Sequence, residues 1–207
     1  MDLNRDLIIK QLSEECCPIC SLLGKYEFNL MANLQWDVGE QGNLEVEKII
    51  REQGFCNYHF HMLFKMSNPQ HLSKFLIRYI NDFIRSKLAQ PELWERKCSV
   101  CDLIDNRTQE LILGFSQIYQ SEAMFREKFQ KNRLLCLPHL QQIMATNISQ
   151  NFKDELLSHH KEVLNVFGTI MSSFVNKRYT EAEGEERQSP LLVIQLMVGF
   201  HGTRWSK

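Results

Sequence analysis

The sequence predicts an all-α fold, and three observations carry that expectation. Apolar residues recur at intervals of three and four almost throughout, the period of a helix face and not of a strand. The breaks between these runs carry helix stop and start signals, such as Gly54 and Ser67-Asn68-Pro69. The order of elements then recurs. An offset of 81 maps Cys17 onto Cys98 and Cys20 onto Cys101, and an offset of 80 maps Cys56 onto Cys136 and His59 onto His139. The expected class is an internally duplicated helical protein with two metal knuckle sites, each of three Cys and one His.

The elements follow in order. Residues 2–14 read as a short amphipathic helix, with Leu3, Leu7, Ile8 and Leu12 on one face and Asp2 and Asp6 in its first turn. A knuckle at Cys16–Cys20 is stiffened by Pro18 and leads into a helix over 21–36, broken by Gly39 and Gly42. A shorter helix is expected over 44–52, ended by Gly54 in a left-handed conformation. Cys56 opens a helix over 57–66, and Asn68-Pro69 restarts one over 70–88. Gln90-Pro91-Glu92 separates the halves. The second half repeats the plan with a knuckle at 98–101 and helices over 102–120, 122–130, 137–145 and 150–178. Thr180 to Gln188, rich in Glu, reads as a solvated linker, and Ser189-Pro190 restarts a last apolar helix ending by Gly199 or Gly202.

The domains read from this order are an N-terminal helix (1–15), a first CxxC/CxxH repeat (16–90), a second (91–179), and a linker with C-terminal helix (180–207). The repeats are expected to face each other as one pseudo-symmetric body. The last helix carries Leu191, Leu192, Val193, Ile194, Leu196, Met197, Val198 and Phe200, apolar on nearly every side. Such a helix is expected to be buried on most sides, in a groove of its own chain or through a protein partner or homodimer.

Composition bounds the function. A net charge of −1 provides no global field for nucleic acid or an anionic membrane. The longest apolar run, Leu191 to Phe200, is about half the roughly 20 residues that span a bilayer. The N-terminus lacks the layout of a signal peptide, so the expected location is cytoplasmic, where thiols stay reduced. Seven cysteines, six of them in paired spacings, then point to metal and not to disulfides.

The chemistry lies in Cys17, Cys20, Cys56 and His59, and again in Cys98, Cys101, Cys136 and His139. Two sulfurs three residues apart can bind one ion together, and Cys-x-x-His at a helix start puts both ligands on one face. Four such ligands complete a closed tetrahedral zinc site. The expected cofactor is two zinc ions, with an iron–sulfur cluster as the alternative, because histidine can replace one cysteine on a cluster. Pairing within each repeat is the expected arrangement, and Cys17 and Cys20 with Cys136 and His139 is the swapped one. Backbone N–H groups at the knuckles are expected to offset the site's net charge of about −1.

Other residues read as bland. Cys16 aligns with Lys97 and is not a required ligand, although it stands beside Cys17. His61, His71 and His201 are isolated, and His159-His160 reads as a solvated face because neighbouring helical residues point about 100° apart. No phosphate loop or nucleophile elbow appears.

The strings Cys17-Pro18-Ile19-Cys20, Gly54-Phe55-Cys56-Asn57-Tyr58-His59 and Cys136-Leu137-Pro138-His139 resemble a prokaryotic family of unknown function. Its members share a CPxC knuckle, a GFCxxH segment and a second, looser copy. The resemblance implies that these residues are metal ligands and implies no activity. The expected function is a zinc-binding protein with two structural sites, a non-catalytic scaffold or interaction module. The alternatives are an iron–sulfur or dithiol redox protein, and a reversible metal-handling protein.

Overall fold

A computed structural model describes residues 3–12, 17–41, 45, 54–87, 98–132, 134–177 and 181–199. Among these there is no strand, and nine α-helices follow one another: α1 (Leu3–Gln11), α2 (Pro18–Gln35), α3 (Asn57–Met66), α4 (Pro69–Asp82), α5 (Ser99–Ser121), α6 (Ala123–Asn132), α7 (Leu137–Met144), α8 (Gln150–Val175) and α9 (Gly184–Val198). Wider π-helical turns, Trp36–Gln41 and Phe83–Lys87, extend α2 and α4. The expected helix over 44–52 apart from Glu45, the segment between the halves at 89–97, and Cys16 and His201 lie outside the described residues.

The restart at Ser67-Asn68-Pro69 acts as read, and the helix that Gly54 is expected to end lies, Glu45 apart, outside the described residues. Gly54 takes φ 80°, the left-handed region in which a Cβ is costly. Asn68 caps α4 by accepting a hydrogen bond from the Gln70 N–H at 2.9 Å, with Pro69 in the first turn. Where the sequence suggested a loop at 131–133, α6 runs on to Asn132.

The last helix departs from expectation in two ways. α9 begins at Gly184, inside the segment read as linker, because Glu183 and Glu186 form a reciprocal capping box that turns those charges into helix-start signals. Pro190 therefore lies inside the helix and not at its start. Its missing N–H leaves the Glu186 carbonyl without the usual partner four residues on. The buried Ser189 hydroxyl donates to that carbonyl instead, at 2.8 Å. Nor is α9 buried on most sides: Leu191 and Ile194 are 58% and 57% exposed, and Met197 and Val198 about as much.

Contacts divide the chain into two compact units, one of residues 1–24 and 108–207, the other of 25–107. The division cuts across the repeat read from the sequence. It passes through α2 after Gly24 and through α5 after Arg107, so each knuckle-bearing helix begins in one unit and continues into the other. The larger unit has an aromatic core of Phe115, Tyr119, Phe125 and Phe129, with centroids 5.3 to 5.8 Å from Phe115. α1 is fixed there by an Arg5–Glu122 ion pair and by Ser21 donating to Gln11. The smaller unit buries Leu63, Leu72 and Phe75, with Phe60 edge-on to both Phe55 and Tyr79. No helix among the described residues is long and apolar enough to cross a membrane.

Candidate metal centres

All four ligand motifs take one local form. The carbonyls of Cys17, Cys56, Cys98 and Cys136 each accept the N–H four residues on, at 2.9 to 3.0 Å. Each therefore caps a helix, and its partner ligand falls in the first turn. The knuckles at 17–20 and 98–101 are thus helix N-termini and not tight loops ahead of them. Cys56 and Cys136 keep extended backbones, at φ −71°, ψ 166° and φ −66°, ψ 153°, and their side chains make no capping bond. Their sulfurs are free to face the paired ligand. Pro18 and Pro138 suit the first turn because those N–H groups have no helical acceptor.

The four motifs assemble as two quartets, and the pairing is crossed. Cys17 and Cys20 meet Cys136 and His139; Cys56 and His59 meet Cys98 and Cys101. The expected pairing within each repeat is corrected to the swapped one. Its reason lies in the units: 1–24 belongs with 108–207, so the first CxxC sits with the second CxxH. In each quartet the four ligand atoms lie within 4.8 Å of one another.

The first centre is wholly buried. His139 Nδ1 stands 3.1 Å from Cys136 Sγ and 3.4 Å from both Cys17 and Cys20 Sγ, and the Cys20 and Cys136 sulfurs are 3.5 Å apart. In the second, His59 Nδ1 stands 3.2 Å from Cys56 Sγ, 3.3 Å from Cys98 and 3.5 Å from Cys101. Cys56 and Cys101 sulfurs are 3.8 Å apart. A tetrahedral ion with bonds of about 2.3 Å to sulfur and 2.0 Å to nitrogen places its ligand atoms about 3.5 to 3.8 Å apart. The donors and their spacing fit such an ion.

Behind His59 stands a residue that the motifs did not indicate. Glu27 Oε1 lies 2.9 Å from His59 Nε2, with side chains 5% and 0% exposed. A proton on Nε2 donates to the carboxylate and leaves the Nδ1 lone pair directed at the three sulfurs. The available signal was its place in the apolar stripe of α2, midway between the buried Leu23 and Met31 at intervals of four. At the offset of 81 that relates the two CxxC motifs, Glu27 corresponds to Thr108.

Electrostatics tie each quartet together. Burial works against a charged His59, but hydrogen bonds with Cys98 and Glu27 outweigh it and raise its pKa to about 9. Burial likewise opposes the Cys98 thiolate; the His59 ring and the Cys56 and Cys101 backbone N–H groups overcome it and bring the thiol down to about 6. At the first centre burial is again opposed, by Cys136, Cys20 and His139, and Cys17 is held well below the ordinary thiol value. Cys136 is pushed up, because it donates to Cys17 and Cys20. Without an ion each quartet holds shared protons, which a divalent cation displaces.

His160 is another departure. It is 3% exposed, and its Nε2 accepts the Leu135 N–H at 3.0 Å while Nδ1 donates to the Leu156 carbonyl at 2.7 Å. Burial lowers its pKa, which keeps the ring neutral in that tautomer. The expected solvated face at His159-His160 therefore holds only in part: His160 is a core strut that fixes the residue before Cys136.

Residues 78–177, just under half of the chain, match a family of unknown function (DUF6062). The matched stretch contains Cys98, Cys101, Cys136 and His139 and begins after the CPxC and GFCxxH strings. No curated protein matches the chain. No solved structure matches it either.

Proposed function

We propose that this is a zinc-binding protein whose two Cys3His centres hold the helices in place, and that it serves as a non-catalytic scaffold. The observation that carries the reading is the crossed pairing. Each centre joins chain segments that are distant in sequence, with Cys20 and Cys136 separated by 116 positions and Cys56 and Cys101 by 45. One ion at each therefore closes a long loop. Three thiolates and an imidazole suit zinc. The ligand atoms nearly touch one another, which favours one ion over a cluster, since a cluster spreads its cysteines over different irons. Four protein ligands at each centre leave no open position for a substrate, as in structural and not catalytic zinc.

Apparent binding free energies of structural zinc, about 10–16 kcal/mol in small domains, match or exceed a domain's whole stability of about 5–15 kcal/mol. The test is removal by a strong chelator under reducing conditions, followed by circular dichroism. Loss of cooperative thermal unfolding, restored by zinc, is the expected result; an unchanged melt after complete removal defeats the structural role.

The exposed strip Leu191, Ile194 and Val198 on α9, spaced three and four apart, supports a contact with a protein partner or a second copy. Sedimentation against concentration tests the second copy: Ile194→Glu is expected to shift the protein towards monomer, and a wild-type chain monomeric at all concentrations removes that occupant.

A further inference from the structure

We propose that the two centres differ in kind: the Cys17/Cys20/Cys136/His139 centre is permanent, and the Cys56/His59/Cys98/Cys101 centre exchanges its ion with external thiol ligands. This rests on the zinc reading above and extends it. The distinction comes from burial and from what stands behind each ligand.

At the first centre all four ligands are buried, three of them at 0% exposure and Cys17 at 6%. No face is open to an incoming ligand. The second centre is divided. His59 and Cys98 are buried, while Cys56 and Cys101 are partly open to solvent. The open pair are two sulfurs of that centre standing 3.8 Å apart. One comes from the CxxH motif and the other from the CxxC motif, so each motif supplies one inner and one outer ligand.

Zinc exchange is associative. An incoming thiolate adds to the ion, one protein thiolate leaves, and the departing sulfur takes a proton from solvent. No electron is transferred. The step needs an accessible sulfur to leave and enough remaining ligands to hold the ion meanwhile. Cys56 and Cys101 meet the first need. His59 and Cys98 meet the second, because Glu27 makes the imidazole a stronger donor and holds its orientation. The ligand class is a small thiol or the thiolate site of an acceptor protein.

The experiment uses the full chain loaded with two equivalents of zinc. A chromogenic zinc chelator in excess, with glutathione, reads release against time, and N-ethylmaleimide labelling with mass spectrometry assigns the cysteines. Two kinetically resolved phases of one equivalent each are expected, the fast one from the centre whose Cys56 and Cys101 are partly open to solvent. Cys56 and Cys101 are expected to label in the fast phase, and Cys17, Cys20 and Cys136 only in the slow one. A single phase of two equivalents, or early labelling of Cys17 or Cys136, overturns the inference while leaving the zinc reading intact. Failure to load two equivalents overturns the zinc reading itself.

Discussion

Glu27 Oε1 lies 2.9 Å from His59 Nε2, and both side chains are cut off from solvent. The pair selects the tautomer that points Nδ1 at Cys56, Cys98 and Cys101. Without the charge on Glu27 the ring loses basicity as a ligand. Glu27→Gln is expected to weaken zinc at that centre by about 10–100-fold and to leave the other unchanged. Competition titration against a chelator of known affinity reads both constants, and equal weakening at both centres contradicts the assignment.

The crossed pairing has a direct consequence. His139→Ala removes one ligand from the quartet that contains Cys17 and Cys20. Those two cysteines are expected to become rapidly alkylated, while the buried Cys98 keeps its wild-type rate. Rapid alkylation of Cys98 instead would restore pairing within each repeat.

His160 binds the Leu135 N–H and the Leu156 carbonyl from inside the core. His160→Phe fills the same space and leaves the buried Leu135 N–H without this partner, while the Leu156 carbonyl keeps its helical bond from the N–H of residue 160. A loss of about 1–3 kcal/mol per unsatisfied buried group is the expected scale, read from urea denaturation of the zinc-loaded protein. A loss within error would mean that His160 is only filler.

Glu186 joins α9 to α8. Lys177, the Glu183 N–H and the Ser173 hydroxyl bind its carboxylate and depress its pKa to about 2. A carboxylate depressed in the folded state stabilises above its ordinary pKa of 4.5, and that contribution fades as pH falls towards 2. Thermal melts of wild type and Glu186→Gln are therefore expected to differ at pH 6 and to converge below pH 3. A constant difference would show that the charge is not the cause.

The two Cys/His clusters that could hold a metal were legible because that chemistry fixes the spacing: residues i and i+3 share a face, and the pattern occurs twice. The pairing was not. Four half-sites can join in two ways that give each centre three Cys and one His, and chain order carries no preference once α2 and α5 each pass from one unit to the other. Glu27 was hidden because a single glutamate on a helix usually faces water, and only its place between Leu23 and Met31 marked it. The start of α9 was misread for a related reason: Glu183 and Glu186 look like solvated charge until the helix they cap is seen. His160 looked exposed beside His159, since period alone does not say which of two neighbours faces the core.

Both proposed centres are defined by the ions they hold. Elemental analysis of protein purified without added metal, with its visible spectrum, is the most direct measurement. Two zinc per chain and no absorption near 400 nm is the result predicted. Iron with labile sulfide, or fully folded protein with no bound metal, would contradict it.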